Sequence, residues 1–254
     1  MVAQEFSSGD SLFHRLDPRI KIVTAMLFSI VVALTDQMIA LFCALFFSMV
    51  LMIVARLKQK HVALRLLLVN SFIFFLWFFI PFTYPGSKTL FSVGGLNLSA
   101  EGVHYALIIT LKSNAIIMAC LALLGTSSLF SLVHALRHLY VPEKLVNLFF
   151  FCYRYLHVVH HEYNKLSNAM KIRCFQPGTN VHTYKTYAYL LGMLIIKSFE
   201  RSERVYQAML CRGFKGEFWM LEHFQLKRSD VISGVVLFLF TVGLMLFPWE
   251  QIMP

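Results

Sequence analysis

The chain has 254 residues, of which 58% are hydrophobic and only 14% are charged. Soluble domains carry about a quarter charged residues, so this composition argues against a soluble globular protein. The formal net charge of +10 comes from cations that flank apolar segments, and we therefore predict no nucleic-acid partner.

The chain contains apolar windows that approach the roughly 20 residues a helix needs to cross a bilayer. Four are unbroken, and a fifth, at 102–126, contains Lys112 and Asn114. The runs are continuous rather than alternating, which predicts an all-α polytopic membrane protein with about five transmembrane helices. The first 12 residues lack the basic start and apolar run of a signal peptide, so an uncleaved N-terminus is expected. The unbroken windows are 20–35, 37–55, 62–82 and 231–249.

The positions of the cations predict how the chain is oriented in the membrane. Of the 23 Lys and Arg residues, 21 lie before or at the start of the first window, around the connection after the second, or between the fifth and last windows. Because cytoplasmic loops carry the excess of cations, the N-terminus is predicted in the cytoplasm and the C-terminus outside the cytoplasmic (inner) cell membrane. The expected divisions are transmembrane helices 1–4 over residues 1–127, a cytoplasmic coupling-helix region over 128–229, and a C-terminal transmembrane helix over 230–254.

The region predicted to be cytoplasmic is expected to contain two long helices rather than a soluble domain. A short amphipathic helix is expected over 129–140, and Pro142 suits the first turn of the helix that follows. No helix breaker then occurs until the turn sequence QPGTN at 176–180. At 1.5 Å per residue each long helix would be roughly 45 Å long. The two long helices are expected at 142–173 and 184–212.

Both long helices end in the same short motif. Residues 168–175 read NAMKIRCF and residues 207–214 read QAMLCRGF, which share an amide residue, Ala-Met, Arg and Phe at one spacing. The alanine and arginine of each copy are four residues apart and therefore share a helix face. A small residue one turn before an arginine lets another surface approach, and the guanidinium can then bind carboxylates or backbone carbonyls. The pairs are Ala169 with Arg173 and Ala208 with Arg212.

A helix cap is the alternative explanation of this motif. In the second copy Gly213 is a natural left-handed cap residue, and Phe214 would contact Met209 as in a Schellman ending. In the first copy Cys174 occupies the glycine position, where a side chain disfavours the left-handed conformation. We therefore expect the copies to share an interaction surface rather than a cap. Two similar surfaces suggest two similar sockets, which a dimeric cytoplasmic partner would provide.

Five segments spread along nearly the whole chain carry a family resemblance. They are HRLDPRIK at 14–21, EGVHYALIITLKS at 101–113, SLVHALRHLYVPEKLV at 131–146, YRYLHVVHHE at 153–162 and ERSERVYQAMLCRGFKG at 200–216. Together they resemble the transmembrane T component of energy-coupling factor transporters, in its CbiQ-type cobalt and nickel branch. In that family two Ala-Arg-Gly-type motifs end two long coupling helices, and each arginine docks in a groove of one ATPase subunit.

The resemblance places these docking motifs at Arg173 and at Arg212-Gly213. It implies a non-catalytic subunit that couples two cytoplasmic ABC ATPase subunits to a membrane S component, with Co²⁺ or Ni²⁺ as the transported substrate. The chain has no GxxxxGK[ST] nucleotide loop, so its partners would hydrolyse ATP, and no cofactor is expected. The chain departs from the family pattern at Ile172 and Cys211, where alanine is usual, and at Cys174, where glycine is usual.

A cluster of histidines suggests a function of another class. His157, His160 and His161 precede Glu162, and His157 and His161 share a helix face on which they could bind a metal in a membrane-embedded enzyme. Polar packing or contact with a partner is the favoured interpretation, and no metal site is predicted. A channel that needs no ATP is a further alternative. Neither the enzyme nor the channel explains the repeated motif.

Polar residues also lie inside a predicted span. Lys112 and Asn114 are near the middle of the fifth window, where an ionisable side chain usually faces the protein interior or a partner. We therefore expect Lys112 to face inward and to support the membrane domain or its contact with the S component. Glu101, about three turns away, is the nearest acid along the helix, so backbone carbonyls or another subunit are the expected partners. Trp77 is expected to face lipid or to pack on the S component.

Overall fold

The structure is a computed structural model that describes residues 13, 16–57, 59–83, 89–93, 96–139, 141–215 and 228–246. Only the backbone is described at residues 59–61, 89–93, 96–98, 228 and 229. The helices are α1 (Pro18–Leu34), α2 (Met38–Ala55), α3 (Gln59–Thr83), α4 (Ala100–Leu123), α5 (Leu129–His138), α6 (Glu143–Ile172), α7 (Val181–Cys211) and α8 (Arg228–Leu246). Two short antiparallel strands, β1 (Thr89–Val93) and β2 (Leu96–Ser99), form a hairpin between α3 and α4.

The predicted all-α membrane fold is confirmed, with this hairpin as an addition. Three of the described helices are long and apolar enough to cross a membrane: Met38–Ala55, Val62–Thr83 and Ala100–Leu123. The apolar helix Asp230–Leu246 is shorter. The expected total of about five spans stays a prediction.

The chain forms two compact units. The first consists of Met1–Leu139 with Phe224–Pro254, and the second of Tyr140–His223. The short helix α5 therefore groups with the first unit, although the sequence division at residues 127 and 128 assigns it to the coupling region. The three-part division itself stays a prediction.

The core of the first unit is built around α2 and α4. Ala44 on α2 and Ala115 and Ala119 on α4 are at most 1% exposed. Such small residues let helix backbones approach closely inside a membrane. They belong to an apolar cluster that also takes in residues of α1 and α8, among them Phe28 and Leu244. Helices α1, α2, α4 and α8 thus pack around this cluster.

The second unit is an antiparallel pair of helices, α6 and α7. Its turn is held by Thr183, whose hydroxyl accepts a hydrogen bond from the Gly178 backbone N–H at 3.2 Å. Because Thr183 lies in the first turn of α7 and is 7% exposed, the helix begins at Val181, three residues before the predicted start. The predicted ends at Arg173 and Arg212 are each within one residue of the observed ends.

Candidate functional site

The first copy of the repeated motif forms a complete helix cap at the end of α6. Arg173 is the C-cap residue of α6, and Cys174, which follows it, adopts the left-handed conformation with φ of +61°. The Phe175 N–H donates to the Met170 carbonyl at 3.1 Å, and the Cys174 N–H donates to the Lys171 carbonyl at 3.0 Å. These two bonds define a Schellman ending.

The second copy forms the same cap at the end of α7. Gly213 takes the left-handed position with φ of +77° after Arg212. The Phe214 N–H donates to the Met209 carbonyl at 3.0 Å, and the Gly213 N–H donates to the Leu210 carbonyl at 2.9 Å. These two bonds join the same motif positions as the two bonds of the first copy.

The expectation that the two copies do not share a cap is therefore wrong, whereas the shared interaction surface stays a prediction. A left-handed conformation costs a residue with a side chain about 1–2 kcal/mol, which Cys174 bears and Gly213 avoids. Contacts of the next residue offset this cost in the first copy. The Phe175 ring lies 5.8 Å from the Tyr187 ring and 6.4 Å from the His182 ring, both on α7. Aromatic pairs of this kind contribute about 0.5–1.5 kcal/mol each.

The caps give both copies the same pattern of exposure. The alanine and arginine of each copy are exposed, whereas the methionine and the phenylalanine are half-buried. Among the described residues, neither the Arg173 nor the Arg212 guanidinium has a hydrogen-bond or ion-pair partner. Each helix end therefore offers a free guanidinium beside a small residue, on backbone that the cap holds in place. The exposed pairs are Ala169 with Arg173 and Ala208 with Arg212.

The antiparallel arrangement places the two arginines far apart. Arg173 lies near the start of α7, because Phe175 contacts Tyr187. Arg212 follows the last residue of the same helix, 25 residues beyond Tyr187. At 1.5 Å per residue the two ends are about 35–40 Å apart.

An apolar groove of about 410 Å³ separates the remaining lengths of α6 and α7. An ion pair crosses between the two helices at one end of it, where Lys197 Nζ donates to Glu162 Oε1 at 2.5 Å. The hydrogen bond from Lys197 lowers the pKa of Glu162, and the positive charges of Lys197, Lys165 and Arg201 act in the same direction. The groove is lined by residues of both helices, among them Leu148, Phe151, Val158, Val205, Tyr206 and Met209.

The histidines of α6 lie on the exposed surface of that helix. His157, His160 and His161 are exposed, and the His157 ring lies 6.3 Å from the Tyr153 ring. The carboxylate next to them, Glu162, is engaged by Lys197. In the part of the chain that the structure describes, no three His, Cys, Asp or Glu side chains form a group that could hold a metal ion.

The structure gives the intramembrane lysine a partner that sequence reasoning missed. Lys112 Nζ donates to the Ala33 carbonyl at the end of α1 and to Asp36 Oδ1, both at 2.7 Å. The Lys112 side chain is 17% exposed, whereas that of Asp36 is 78% exposed. Asp36 lies directly after the first apolar window, 76 residues from Lys112, and is therefore not among the acids along the same helix. A role of Lys112 in binding the S component stays a prediction.

Polar contacts also join α3 to α4 within the membrane unit. The side-chain amides of Asn70 and Asn114 exchange two hydrogen bonds, at 3.1 and 3.0 Å. Trp77 Nε1 donates to Thr110 Oγ1 on α4 at 2.9 Å, and Trp77 is 38% exposed. Asn114 thus contributes to packing between helices of this chain.

Comparison with known proteins identifies the family. A family model described as CbiQ, cobalt transport protein, matches residues 9–225. The chain belongs to the CbiQ family. This CbiQ-family chain is similar to proteins named energy-coupling factor transporter transmembrane protein EcfT. The one from Streptococcus equi subsp. equi (strain 4047) is 24% identical, covering 97% of the chain and 96% of that protein.

Two further relatives carry the same name. The EcfT of Leuconostoc gelidum subsp. gasicomitatum is 29% identical over 83% of the chain and 82% of that protein. The EcfT of Lactococcus lactis subsp. cremoris (strain MG1363) is 22% identical over 99% of the chain and 98% of that protein. The family resemblance seen in the sequence is confirmed. Because these relatives are named as transmembrane components of transporters, the CbiQ-family chain is a membrane transport component and not an enzyme.

Proposed function

We propose that this chain couples two cytoplasmic ABC ATPase subunits to a substrate-capturing S component in an importer of the energy-coupling factor type. The observation that carries the proposal is the pair of equivalent helix ends, each with an exposed arginine and the same Schellman cap. Two like surfaces about 35–40 Å apart match a partner that offers two like sockets, as an ATPase dimer does.

The geometry supports a mechanical role for the two helices. Each guanidinium can donate to carboxylates or carbonyls of a groove, and the alanine one turn earlier lets the groove wall approach. The cap fixes the backbone behind each arginine, so displacement of a socket moves the helix rather than fraying its end. When an ATPase dimer closes, its two sockets move relative to each other, and α6 and α7 would follow.

We propose Co²⁺ or Ni²⁺ as the transported substrate, with the S component making the choice between metals. The family description, cobalt transport protein, supports this assignment. The metal is cargo of the whole transporter, so no metal site is required in this chain. Uptake assays with each metal in cells that express the complex would separate Co²⁺ from Ni²⁺.

We propose that the N-terminus and the second unit lie in the cytoplasm and the C-terminus outside. The support is the position of 21 of the 23 Lys and Arg residues on one side of the predicted spans. A cysteine introduced at Gly178 should be shielded from an impermeant thiol reagent in intact cells, whereas one at Gly94 should react. The opposite labelling pattern would overturn this orientation.

Charge reversal of the two arginines tests the coupling role directly. Arg173→Glu or Arg212→Glu should lower retention of the ATPases on the tagged chain by about 30-fold or more, because losing one partner of a buried charge contact costs roughly 2–5 kcal/mol. The double variant should lose more than either single variant, and metal uptake should fall in parallel.

A matched control separates this effect from a change in net charge. Arg204 lies on α7, two turns before Arg212, with a side chain that is 68% exposed. Arg204→Glu should therefore leave ATPase retention and uptake near the wild-type values. If the double variant of Arg173 and Arg212 kept both, the docking role would be wrong.

A further inference from the structure

A lysine lies fully inside the first unit, although its position at the start of an apolar window is typical of a cation that flanks a span. Lys21 on α1 is 1% exposed and is the largest fully buried side chain in the described part of the chain. Its ammonium donates to Ser127 Oγ at 2.7 Å and to Thr126 Oγ1 at 3.4 Å. Both acceptors belong to the turn between α4 and α5, so one side chain joins α1 to that turn.

Two buried carboxylates favour the charged form of this lysine. Asp17 and Asp230 are 5% and 4% exposed, and the negative charge of each acts on the Lys21 ammonium. Asp17 also caps α1, where its Oδ1 accepts from the Arg19 backbone N–H at 2.9 Å. Asp230 lies in the first turn of α8. We call Asp17, Lys21, Thr126, Ser127 and Asp230 the Lys21 cluster.

The packing around the cluster is tight on the side of α8. A Cβ atom at Gly234 would lie 2.8 Å from Ile20 Cγ2, so only glycine allows α8 to approach α1 this closely. Ile20 is the residue before Lys21, and α1 also contacts α4 and α5. The Lys21 cluster therefore joins the start of α1, the turn before α5 and the start of α8.

These joined points have a particular place along the chain. Helix α5 is the last element of the first unit before the chain enters the second unit at Tyr140. Helix α8 is the first described helix after the chain returns to the first unit at Phe224. The Lys21 cluster thus attaches to α1 both the segment that leads into the second unit and the segment that follows it.

If only packing mattered at position 21, an apolar residue of similar volume would be more favourable than a lysine. Replacing a buried ion pair by apolar residues of similar volume is often neutral or stabilising. What the hydrogen bonds from Lys21 to Thr126 and Ser127 add is a fixed geometry, because each bond constrains both partners in direction and distance. The residue type therefore favours a role in keeping three elements in one arrangement.

We infer that Lys21 is a positioning residue that makes α1, the α4–α5 turn and the start of α8 move as one body. A displacement that the ATPases impose on the second unit then reaches the membrane helices instead of being absorbed by local opening of the turn at 124–128. This inference rests on the proposed coupling function and extends it to a residue outside both docking motifs.

Amide hydrogen exchange of the complex, purified through a tag on this chain, tests the inference with and without a non-hydrolysable ATP analogue. In the wild type, nucleotide should change exchange in α6 and α7 and also in α1 and α8. In Lys21→Met, ATPase retention and ATP hydrolysis should persist, and the change should stay in α6 and α7. In the free chain, Lys21→Met should speed exchange at 126–138 by about tenfold, because the bonds that close this turn are lost.

The controls use neighbouring polar residues. Thr24 is on the same helix and is 5% exposed, but its hydroxyl bonds only to carbonyls of its own helix, so Thr24→Val should behave as wild type. Lys21→Arg should restore part of the long-range change. If Lys21→Met does not accumulate, the double variant Thr126→Val with Ser127→Ala removes the acceptors instead, with the same expected result.

Two results would overturn the inference. One is a nucleotide-dependent change that reaches α1 and α8 undiminished in Lys21→Met or in the double variant. The other is a loss of that change in Thr24→Val as large as in Lys21→Met. Failure of the wild-type chain to retain ATPases would instead contradict the proposed function. The exchange rates of the free chain would then still decide whether Lys21 holds the turn.

Discussion

The ends of α6 and α7 have the same backbone geometry but reach it with different residues. One end uses Cys174 at φ of +61° and the other uses Gly213 at +77°, and the hydrogen bonds on either side are equivalent. At both ends the backbone carbonyl of a methionine accepts a hydrogen bond from the backbone N–H of a phenylalanine. Glycine at the left-handed position therefore changes the energy of the cap but is not required for its shape.

The largest difference between the two helix ends is expected when Gly213 is replaced by a residue with a β-branched side chain. Gly213→Val should raise the free energy of the capped end by about 2 kcal/mol, because a β-branched residue is poorly accommodated in the left-handed region. Amide exchange at residues 213 and 214 should then become about 30-fold faster.

A second glycine on α7 provides the control for this variant. A Cβ atom at Gly192 meets no atom within 4 Å, and its φ is not left-handed. Gly192→Val should therefore leave exchange at the end of α7 unchanged. Equal exchange at residues 213 and 214 in Gly213→Val and wild type would show that the cap does not depend on a left-handed residue.

A smaller effect is expected when the two left-handed residues are exchanged. Cys174→Gly should stabilise the end of α6 by about 1 kcal/mol and slow exchange of the Phe175 amide about fivefold, because the steric cost of Cβ disappears. Gly213→Cys should destabilise the end of α7 by a similar amount. Since both arginines remain, the expected ATPase retention stays near wild type. Faster exchange at Phe175 in Cys174→Gly would contradict the assignment of strain to Cys174.

The smallest effect concerns the ion pair between the two helices. Because Lys197 lowers the pKa of Glu162, the pair contributes stability above the usual titration range of a carboxyl group. That contribution is lost as pH falls through the lowered pKa of Glu162. Lys197→Met should therefore lower the melting temperature slightly at neutral pH, and the difference from wild type should vanish in acid.

Lys185→Met, which removes an exposed cation from the same helix, is the control for the ion pair. Its difference from wild type should not follow the titration of Glu162. A melting difference for Lys197→Met that persisted unchanged in acid would contradict the sign of the Glu162 shift.

The sequence predicted those features that depend on residues close together along the chain. Apolar windows identified the fold class, and the breakers after Arg173 and Arg212 located the helix ends to within one residue. The repeated motif was visible because its spacing follows one helix turn. All three signals are local, so they survive without knowledge of the tertiary structure.

Tertiary contacts decided what the sequence could not predict. Cys174 adopts a disfavoured conformation because Phe175 packs on Tyr187, twelve residues away along the chain. Lys112 binds Asp36 across 76 residues, and Lys21 binds Ser127 across 106. A lysine beside an apolar window looks the same whether it ends in a loop or in the core. Only the packing of α1 against α4 and α5 distinguishes the two.

The unbroken length of α7 also means that a small tilt of this helix displaces its ends appreciably. The helix has 31 residues with no proline and an exposed arginine at its far end, so it extends about 45 Å as one rod. Tilting such a rod by about 5° around its midpoint shifts each end by about 2 Å in opposite directions. A small rotation of α7 near the Glu162–Lys197 ion pair would therefore displace Arg212 by about 2 Å. Helix shifts of this size accompany conformational switching in other proteins.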